Sequence, residues 1–270
     1  MNVVNQRICG LMVFFAGVLM AVTANAAAIP SGWTCNGGSV SCGTSGADGV
    51  VTLPPNGSST YQWASTNGGL GGVGALPTGT LGVETNGATL ATSVFSANAG
   101  AALSFYFNFV TSDGSGFADY AWAALFDSSN TLSALLFTAR TAPSGSIVPG
   151  FGMPPVNATL TPSSVPIIPG DSHWSPLGSD SGACFNGPAA GCGYTGWVNA
   201  SYTIATAGNY YLAIGVTNWN DQVFNTGLAM SGVTVNGEPI IDTPEPAALG
   251  VFALGLLMIG AVAGRRRRLG

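Results

Sequence analysis

Residues 103–109 read Leu-Ser-Phe-Tyr-Phe-Asn-Phe, and their pattern indicates the fold class. Every odd-numbered position is apolar, while Ser104 and Asn108 put polar side chains on even-numbered positions. Successive side chains of a β-strand point to opposite faces, so the alternation predicts a strand with one face on an apolar core.

Eight further runs between residues 29 and 243 have the same character. They are short, rich in Val, Ile, Thr, Tyr and Phe, and bounded by Gly, Asn, Asp and Pro. The predicted strands are 50–53, 59–64, 88–96, 102–111, 119–127, 132–139, 196–205, 208–218 and 227–236. No amphipathic helix pattern appears in this region. We therefore predict an all-β fold class, with residues 29–243 forming a single β-sandwich ectodomain.

One segment of the predicted ectodomain, 141–190, breaks the strand pattern. It holds nine of the sixteen prolines, and proline cannot donate to a sheet ladder. An unstructured insertion of this length is unusual in a compact domain. The insertion is therefore either an ordered excursion or a decorative surface loop.

The charge of the chain argues against a nucleic-acid partner. Charged residues make up only 6%, and lysine is missing from the sequence. Between residues 29 and 243, ten acidic residues stand against one arginine, Arg140, which leaves a net charge of −9. Phosphate binding needs Lys and Arg, whereas divalent cations are natural counter-ions for this region. The aromatic content of 10% argues against disorder.

Residues 1–28 have the features of a secretory signal peptide. Arg7 supplies a positive start, residues 9–22 are apolar apart from glycine, and residues 24–26 read Ala-Asn-Ala, a small-x-small cleavage site. A retained membrane helix is the alternative. We expect Cys9 to leave with this leader.

The C-terminal segment, 244–270, combines three features. Pro244, Glu245 and Pro246 come first, then the apolar stretch 247–264, and then the run Arg265, Arg266, Arg267 and Arg268. Eighteen apolar residues in a helix cover about 27 Å, close to a hydrocarbon core of roughly 30 Å. The arginines should stay on the cytoplasmic side of that transmembrane helix.

This order of features resembles the PEP-CTERM sorting signal of exported bacterial proteins, with Thr243 where Val often stands. The resemblance implies processing by an exosortase in a Gram-negative bacterium that makes exopolysaccharide. It also implies that the tail anchors the chain in the inner membrane before processing. A plain C-terminal membrane anchor is the alternative.

Four cysteines remain after the leader is removed, namely Cys35, Cys42, Cys184 and Cys192. Disulfides are the usual state of cysteines in exported proteins. Three pairings are possible, and nearness in sequence across turn-forming residues favours Cys35–Cys42 and Cys184–Cys192. A four-cysteine zinc site is the rival, but the chain lacks the Cys-x-x-Cys spacing that such sites favour.

A second resemblance covers roughly residues 50–236. The segments 95–127, 207–212, 215–218 and 227–229 follow one another in an order similar to the jelly-roll-like ectodomains of anchored bacterial surface proteins. The resemblance implies a jelly-roll-like sandwich. Many relatives have an acid just after the Gly-Leu pair of the last segment, a place that Met230 and Ser231 hold here.

The best candidate site is the acid-rich turn that contains Asp113 and Asp119. Carboxylates separated by glycines suit Ca²⁺, which accepts irregular sets of oxygen ligands. Asn218 and Asp221 could approach from a neighbouring loop, so calcium is the one cofactor that the sequence indicates. The alternative is that these residues only form turns.

Catalytic chemistry has little support in the sequence. His173 is the sole histidine, and no Gly-x-Ser-x-Gly motif accompanies it. Glycoside hydrolysis needs two apposed carboxylates, and the sequence does not identify a pair. We predict a protein that is not an enzyme, with a structural or adhesive role beside exopolysaccharide. A carbohydrate-binding module is the first alternative, with Trp63, Trp174, Trp197 and Trp219 as candidate sugar platforms. A secreted polysaccharide-active enzyme is the second.

Overall fold

A computed structural model describes residues 27–142 and 145–240, and it confirms the all-β class. In chain order the strands are β1 Thr34–Asn36, β2 Cys42–Ser45, β3 Tyr61–Ser65, β4 Leu70–Gly71, β5 Glu84–Ala91, β6 Phe95–Ala97, β7 Ala102–Thr111, β8 Tyr120–Asp127, β9 Leu132–Arg140, β10 Ser146–Val148, β11 Thr159–Thr161, β12 Val165–Pro166, β13 Ile168–Pro169, β14 Gly193–Tyr194, β15 Val198–Thr203, β16 Gly208–Trp219, β17 Thr226–Val235 and β18 Glu238–Pro239. Short 3₁₀ helices lie at Ser115–Phe117, Ser175–Asp180 and Pro188–Ala190.

The long strands form two antiparallel sheets that pack face to face. The centre of sheet A has the order β15-β7-β17-β3, and sheet B has the order β5-β16-β8-β9. Along the chain, β3, β7, β15 and β17 belong to sheet A, and the intervening β5, β8, β9 and β16 belong to sheet B. Eight strands exchanged between two sheets in this way have the connectivity of a jelly roll. Shorter strands extend the edges of both sheets.

The alternation in residues 103–109 has the predicted consequence. Leu103, Phe105, Phe107 and Phe109 are fully buried and face the main core between the sheets. Phe107 stacks on Phe137 of the opposite sheet, with 3.8 Å between ring centroids. Burying each of these four side chains contributes about 1.5–3 kcal/mol to the free energy of unfolding. Strand β7 is therefore a central strand of the core.

Most predicted strands are present, and 102–111 has the predicted bounds. The predicted strand 50–53 is wrong, because Val51 makes only an isolated bridge to Asp48. The tight turn at Gly49 has a positive φ of 55°, and Val50 donates its N–H to the carbonyl of His173 rather than to a sheet. The predicted strand 88–96 is divided between β5 and β6.

The proline-rich segment packs in two places: Ile147, Val148 and Val165 are buried in the main core, and the part around Trp174 packs against the outer face of sheet A. Trp174 is 1% exposed, and its indole Nε1 donates to the Tyr61 hydroxyl at 2.9 Å. A Cβ atom at Gly227 would overlap the Trp174 ring, so the glycine on β17 makes room for it. The ring therefore anchors the segment to sheet A.

The predicted disulfide pairing is confirmed. Cys35 is bonded to Cys42, and Cys184 to Cys192, with Cα atoms 6.2 and 5.6 Å apart. Each bridge closes a short loop, so its entropic contribution is about 2–3 kcal/mol.

The predicted terminal signals lie almost entirely outside the described residues. Of the signal peptide, 1–28, only Ala27 and Ala28 are described, and the sorting tail, 244–270, lies wholly outside. In the described part of the chain, no helix is long and apolar enough to cross a membrane.

Candidate functional site

At one end of the sandwich, the inward-facing side chains change from apolar to polar. The last apolar positions are Ala88, Val216, Ala121 and Ala139 on sheet B, and Ala64, Leu228 and Phe109 on sheet A. Toward this end of the sandwich, the next inward-facing position of each strand lies two residues away and is polar. These positions, here called the polar layer, are Asn86, Asn218, Asp119, Thr141, Thr66, Thr226 and Thr111. All except the half-buried Asn86 are at most 2% exposed. The strand period of two therefore stacks a buried polar layer on the core.

Asp119 lies in the middle of the polar layer and is fully buried. Its Oδ1 accepts a hydrogen bond from the Trp219 N–H at 2.8 Å. Its Oδ2 accepts from the Thr226 hydroxyl at 2.7 Å, a bond that joins the two sheets. Burial, followed by the nearby charge of Asp113, raises the pKa of Asp119 well above its ordinary value.

Asp113 lies in the turn after β7 and is 1% exposed. Its Oδ1 accepts from the Gly114 N–H at 2.6 Å, whereas its Oδ2 is buried without a hydrogen-bond partner. Burial raises its pKa to about 7, and the charges of Asp221 and Asp180 act in the same direction.

Asn218 adds a second unpaired oxygen to the polar layer. The register of β8 and β16 places Asn218 opposite Asp119. The Asn218 Nδ2 donates to Asn86 at 3.2 Å, but its Oδ1 is buried without a partner. An unpaired buried acceptor costs about 1–3 kcal/mol.

Arg140 is the one basic side chain near these acids in the described part of the chain. Its Nε donates to the Ala118 carbonyl at 2.9 Å and a terminal nitrogen donates to the Phe151 carbonyl at 3.2 Å. Its guanidinium lies 4.4 Å from the Trp219 ring centroid. Among the described residues, neither Asp113 nor Asp119 accepts a hydrogen bond from a cationic side chain, although the charge of Asp119 raises the pKa of Arg140, against the larger lowering effect of burial.

The four predicted ligands are not equally placed. Asp113, Asp119 and Asn218 lie in or beside the polar layer, whereas the Asp221 Oδ1 accepts from the Val223 N–H at 3.0 Å within its own loop. Across 27–142 and 145–240, no three His, Cys, Asp or Glu side chains are close enough to share a metal ion. A cation here would therefore need neutral ligands, and amide, hydroxyl and carbonyl oxygens are ligands that Ca²⁺ accepts.

Sequence reasoning missed Asp180 and Asn225. The Asp180 Oδ2 accepts from the main-chain and side-chain nitrogens of Asn225 at 2.9 and 2.8 Å. The Ser112 hydroxyl donates to the Asn225 carbonyl at 2.8 Å, which ties this pair to the Asp113 turn. Asp180 comes from the proline-rich segment, so no spacing pattern could have connected it to the site.

Three phenylalanines lie together beside the acidic turn. Phe185 packs edge-on against Phe117 with 5.4 Å between centroids, and it lies 5.2 Å from Phe224. Phe185 follows the bridged Cys184, and its N–H donates to the Ser112 carbonyl at 2.9 Å. The Cys184–Cys192 loop therefore holds an apolar cover over the Asp113 turn, which lowers the local dielectric.

Most of the tryptophans predicted as sugar platforms are packing residues. Trp63 and Trp174 are 3% and 1% exposed and contact each other edge-on. Trp219 lies beneath the Arg140 guanidinium. The half-buried Trp197 packs on Tyr61 at 5.7 Å.

Comparisons with known proteins assign no family. No family model matches this chain, and no curated protein sequence matches it. The K1 cleaved adhesin domain of Lys-gingipain from Porphyromonas gingivalis W83 has a TM-score of 0.36 at 13% identity, over 78% of this chain and 94% of that one. The K3 domain of the same protein has a TM-score of 0.33 at 13% identity, over 75% and 92%. An exo-beta-agarase structure has a TM-score of 0.26 at 10% identity, over 79% of this chain and 24% of that one.

The fold and the cysteines together define a class of protein. The chain is an all-β sandwich with two disulfides. Disulfides form and persist in oxidising compartments outside the cytoplasm. The class is therefore that of extracellular or surface-located β-sandwich proteins.

The raised pKa values predict how stability depends on pH when divalent cations are chelated. The folded state binds a proton on Asp113 up to about pH 7, whereas the unfolded chain releases it near 3.8. Between these values the folded state holds more protons, so the free energy of unfolding should fall as pH rises. Urea melts in chelator from pH 4 to 8 test this. A profile that rises through this window would contradict the buried-acid interpretation.

Proposed function

We propose that this chain is an exported protein of the cell surface or extracellular matrix, sorted by an exosortase and structural or adhesive beside exopolysaccharide. The observation that carries the proposal is the tail of Pro244, Glu245 and Pro246, an apolar span and four arginines. The two disulfides support an oxidising destination.

The chemistry of the chain also fits a matrix environment. With 6% charged residues, its polar groups are mainly hydroxyl, amide and backbone groups. Such groups exchange hydrogen bonds with water and with hydrated polysaccharide alike. Adhesion would then depend on many neutral contacts rather than on ion pairs.

Calcium at the polar layer is the second part of the proposal. Asp113, Asp119 and Asn218 would supply oxygen ligands, two of which are buried and unpaired. A divalent cation would neutralise the carboxylates there and stabilise one end of the sandwich. Its role is structural, since it would join a turn of sheet A to strands of sheet B.

Processing of the tail is the direct test of sorting. When the full chain is expressed in an exosortase-containing host, we expect the mature protein to lack Arg265, Arg266, Arg267 and Arg268. Intact-mass analysis measures this. Replacing Pro244, Glu245 and Pro246 by alanine should leave the arginines in place, whereas the matched control Thr243→Val should be processed normally. Retention of the arginines in the wild-type protein would refute sorting by an exosortase.

A further inference from the structure

A groove of 900 Å³ lies on the outer side of sheet A. It forms where β17 changes partner, because β3 pairs with residues 227–230 and β18 pairs with residues 234–235. Gly232 lies in the bulge between them, with a positive φ of 64°. A Cβ atom there would crowd Asn56, so the glycine lets Asn56 close one wall of the groove.

The surface of this groove mixes polar and apolar atoms, and none of the side chains that line it is charged. Of its eighteen lining residues, eight have hydroxyl groups and three have side-chain amides, and none is acidic or basic. The volume lies within the range of about 300–1,000 Å³ typical of small-molecule sites. Hydroxyl and amide groups both donate and accept hydrogen bonds, which suits a ligand with many hydroxyls.

The centre of the groove is a row of three residues on adjacent strands. Asn199 pairs with Tyr106, and Tyr106 pairs with Ser231. All three line the groove, and the Tyr106 ring is half-buried. An aromatic ring with polar groups on both sides offers an apolar surface for the C–H face of a sugar ring and hydrogen bonds for its hydroxyls.

Two amides of the groove have hydrogen-bonding capacity to spare. The Asn199 Nδ2 donates to the Ser104 hydroxyl at 3.0 Å and to the Phe105 carbonyl at 3.3 Å. These bonds fix the orientation of the amide, while among the described residues its Oδ1 accepts none. The side chain of Gln62, 6% exposed, makes no hydrogen bond within the same part of the chain. Both groups can therefore bind a ligand without breaking an internal bond.

We propose that this groove binds a short segment of a neutral polysaccharide, an inference that rests on the proposed function and names its ligand class. An acidic polysaccharide would bring carboxylates or sulfates to a groove without a basic side chain, inside a region whose net charge is −9. A neutral glycan avoids that repulsion and satisfies the hydroxyls and amides of the lining.

The test uses the exported protein purified from cells that express the full chain. Affinity gels with dextran, galactan and β-1,4-glucan are compared with gels containing alginate and polygalacturonate. We expect retardation by at least one neutral polysaccharide and by neither acidic one. Tyr106→Ala should weaken the binding about tenfold, as expected for a central aromatic contact, and Tyr106→Phe should weaken it less. Tyr211→Ala, on the outer face of sheet B, is the matched control and should bind like the wild type.

Binding to none of the neutral polysaccharides would overturn the inference, as would preferential binding to an acidic one or unchanged binding by Tyr106→Ala. Protease shaving of intact cells tests the proposed function separately. A protein found at the surface that binds no neutral glycan would refute the groove alone. Retention inside the cell together with Tyr106-dependent binding in vitro would refute the surface role and support the groove.

Discussion

We expect Ca²⁺ to raise the melting temperature of the exported protein by about 5–10 °C, and a chelator to lower it again. A ligand that binds only the folded state at about a hundredfold above its dissociation constant contributes about 2.7 kcal/mol. For a domain of this size, each 1 kcal/mol shifts the melting temperature by about 2–4 °C. Differential scanning calorimetry at fixed ionic strength measures the effect.

The physical reason for this stabilisation is the unbalanced charge of the polar layer. Asp119 is fully buried and Asp113 is 1% exposed, and the charge of Asp113 raises the cost of ionising Asp119. Without a cation, the folded state must either hold protons on these groups or bear their repulsion. Bound Ca²⁺ would neutralise the two carboxylates, so that neither protonation nor repulsion would be needed. The unpaired oxygens of Asp113 and Asn218 would become its ligands.

The double variant Asp113→Asn with Asp119→Asn should lose the Ca²⁺ response. Asparagine keeps the shape and the acceptor oxygen of each side chain but removes the charge. The matched control is Asp171→Asn with Glu238→Gln, which removes the same two charges from exposed positions and should respond like the wild type. This pair of variants separates a site from the general effect of net charge.

Mg²⁺ at the same ionic strength separates coordination from screening. Any divalent ion relaxes repulsion in an acidic protein, but Mg²⁺ demands a near-octahedral site and gives up its water reluctantly. Stabilisation by Mg²⁺ equal to that by Ca²⁺, or an unchanged Ca²⁺ response in the double variant, would leave Asp113 and Asp119 as turn formers only.

The sequence predicted the parts of the fold that depend on local alternation. Strand β7 has its predicted bounds because its apolar and polar positions alternate over seven consecutive residues. The predicted strand 50–53 failed because a similar short run of apolar residues follows Gly49, whose turn directs Val50 to His173 instead of to a sheet. A short apolar run does not reveal its hydrogen-bond partner.

The candidate site could be predicted only in part, for a different reason. The sequence predicted the acid-rich turn that contains Asp113 and Asp119. Their raised pKa values depend on burial, and the strands that bury them are far apart in sequence. Asp180 comes from the proline-rich segment, and Thr226 was missed although it shares a face with Leu228. Extending the alternation of each strand by one more inward position would have found the polar layer.

Replacing Trp174 by alanine should be among the most destabilising single changes in the chain. Trp174 is one of the largest fully buried side chains and packs against Tyr61 and Trp63 on the outer face of sheet A. Truncating a buried tryptophan typically costs about 3–5 kcal/mol, which corresponds here to a fall of about 6–20 °C in melting temperature.

The loss should exceed the effect of the cavity alone, because Trp174 joins two parts of the protein. Its Nε1 donates to the Tyr61 hydroxyl, and burial raises the pKa of that hydroxyl. Removing the indole leaves the hydroxyl without this partner in a buried position and loosens the part of the proline-rich segment around residue 174, while the pairing of β11 with β15 remains. Limited proteolysis should then cleave within 145–190 before the sheets are digested.

Phe151→Ala is the matched control for this prediction. Phe151 belongs to the same segment but is 77% exposed, so its truncation should change the melting temperature by less than about 2 °C, since an exposed ring loses little burial. Equal effects of the two variants would mean that the segment is a loosely held loop. A large effect of Trp174→Ala alone, with early cleavage in 145–190, would show that this buried ring is a main attachment of the proline-rich segment, beside its strand pairing with sheet A.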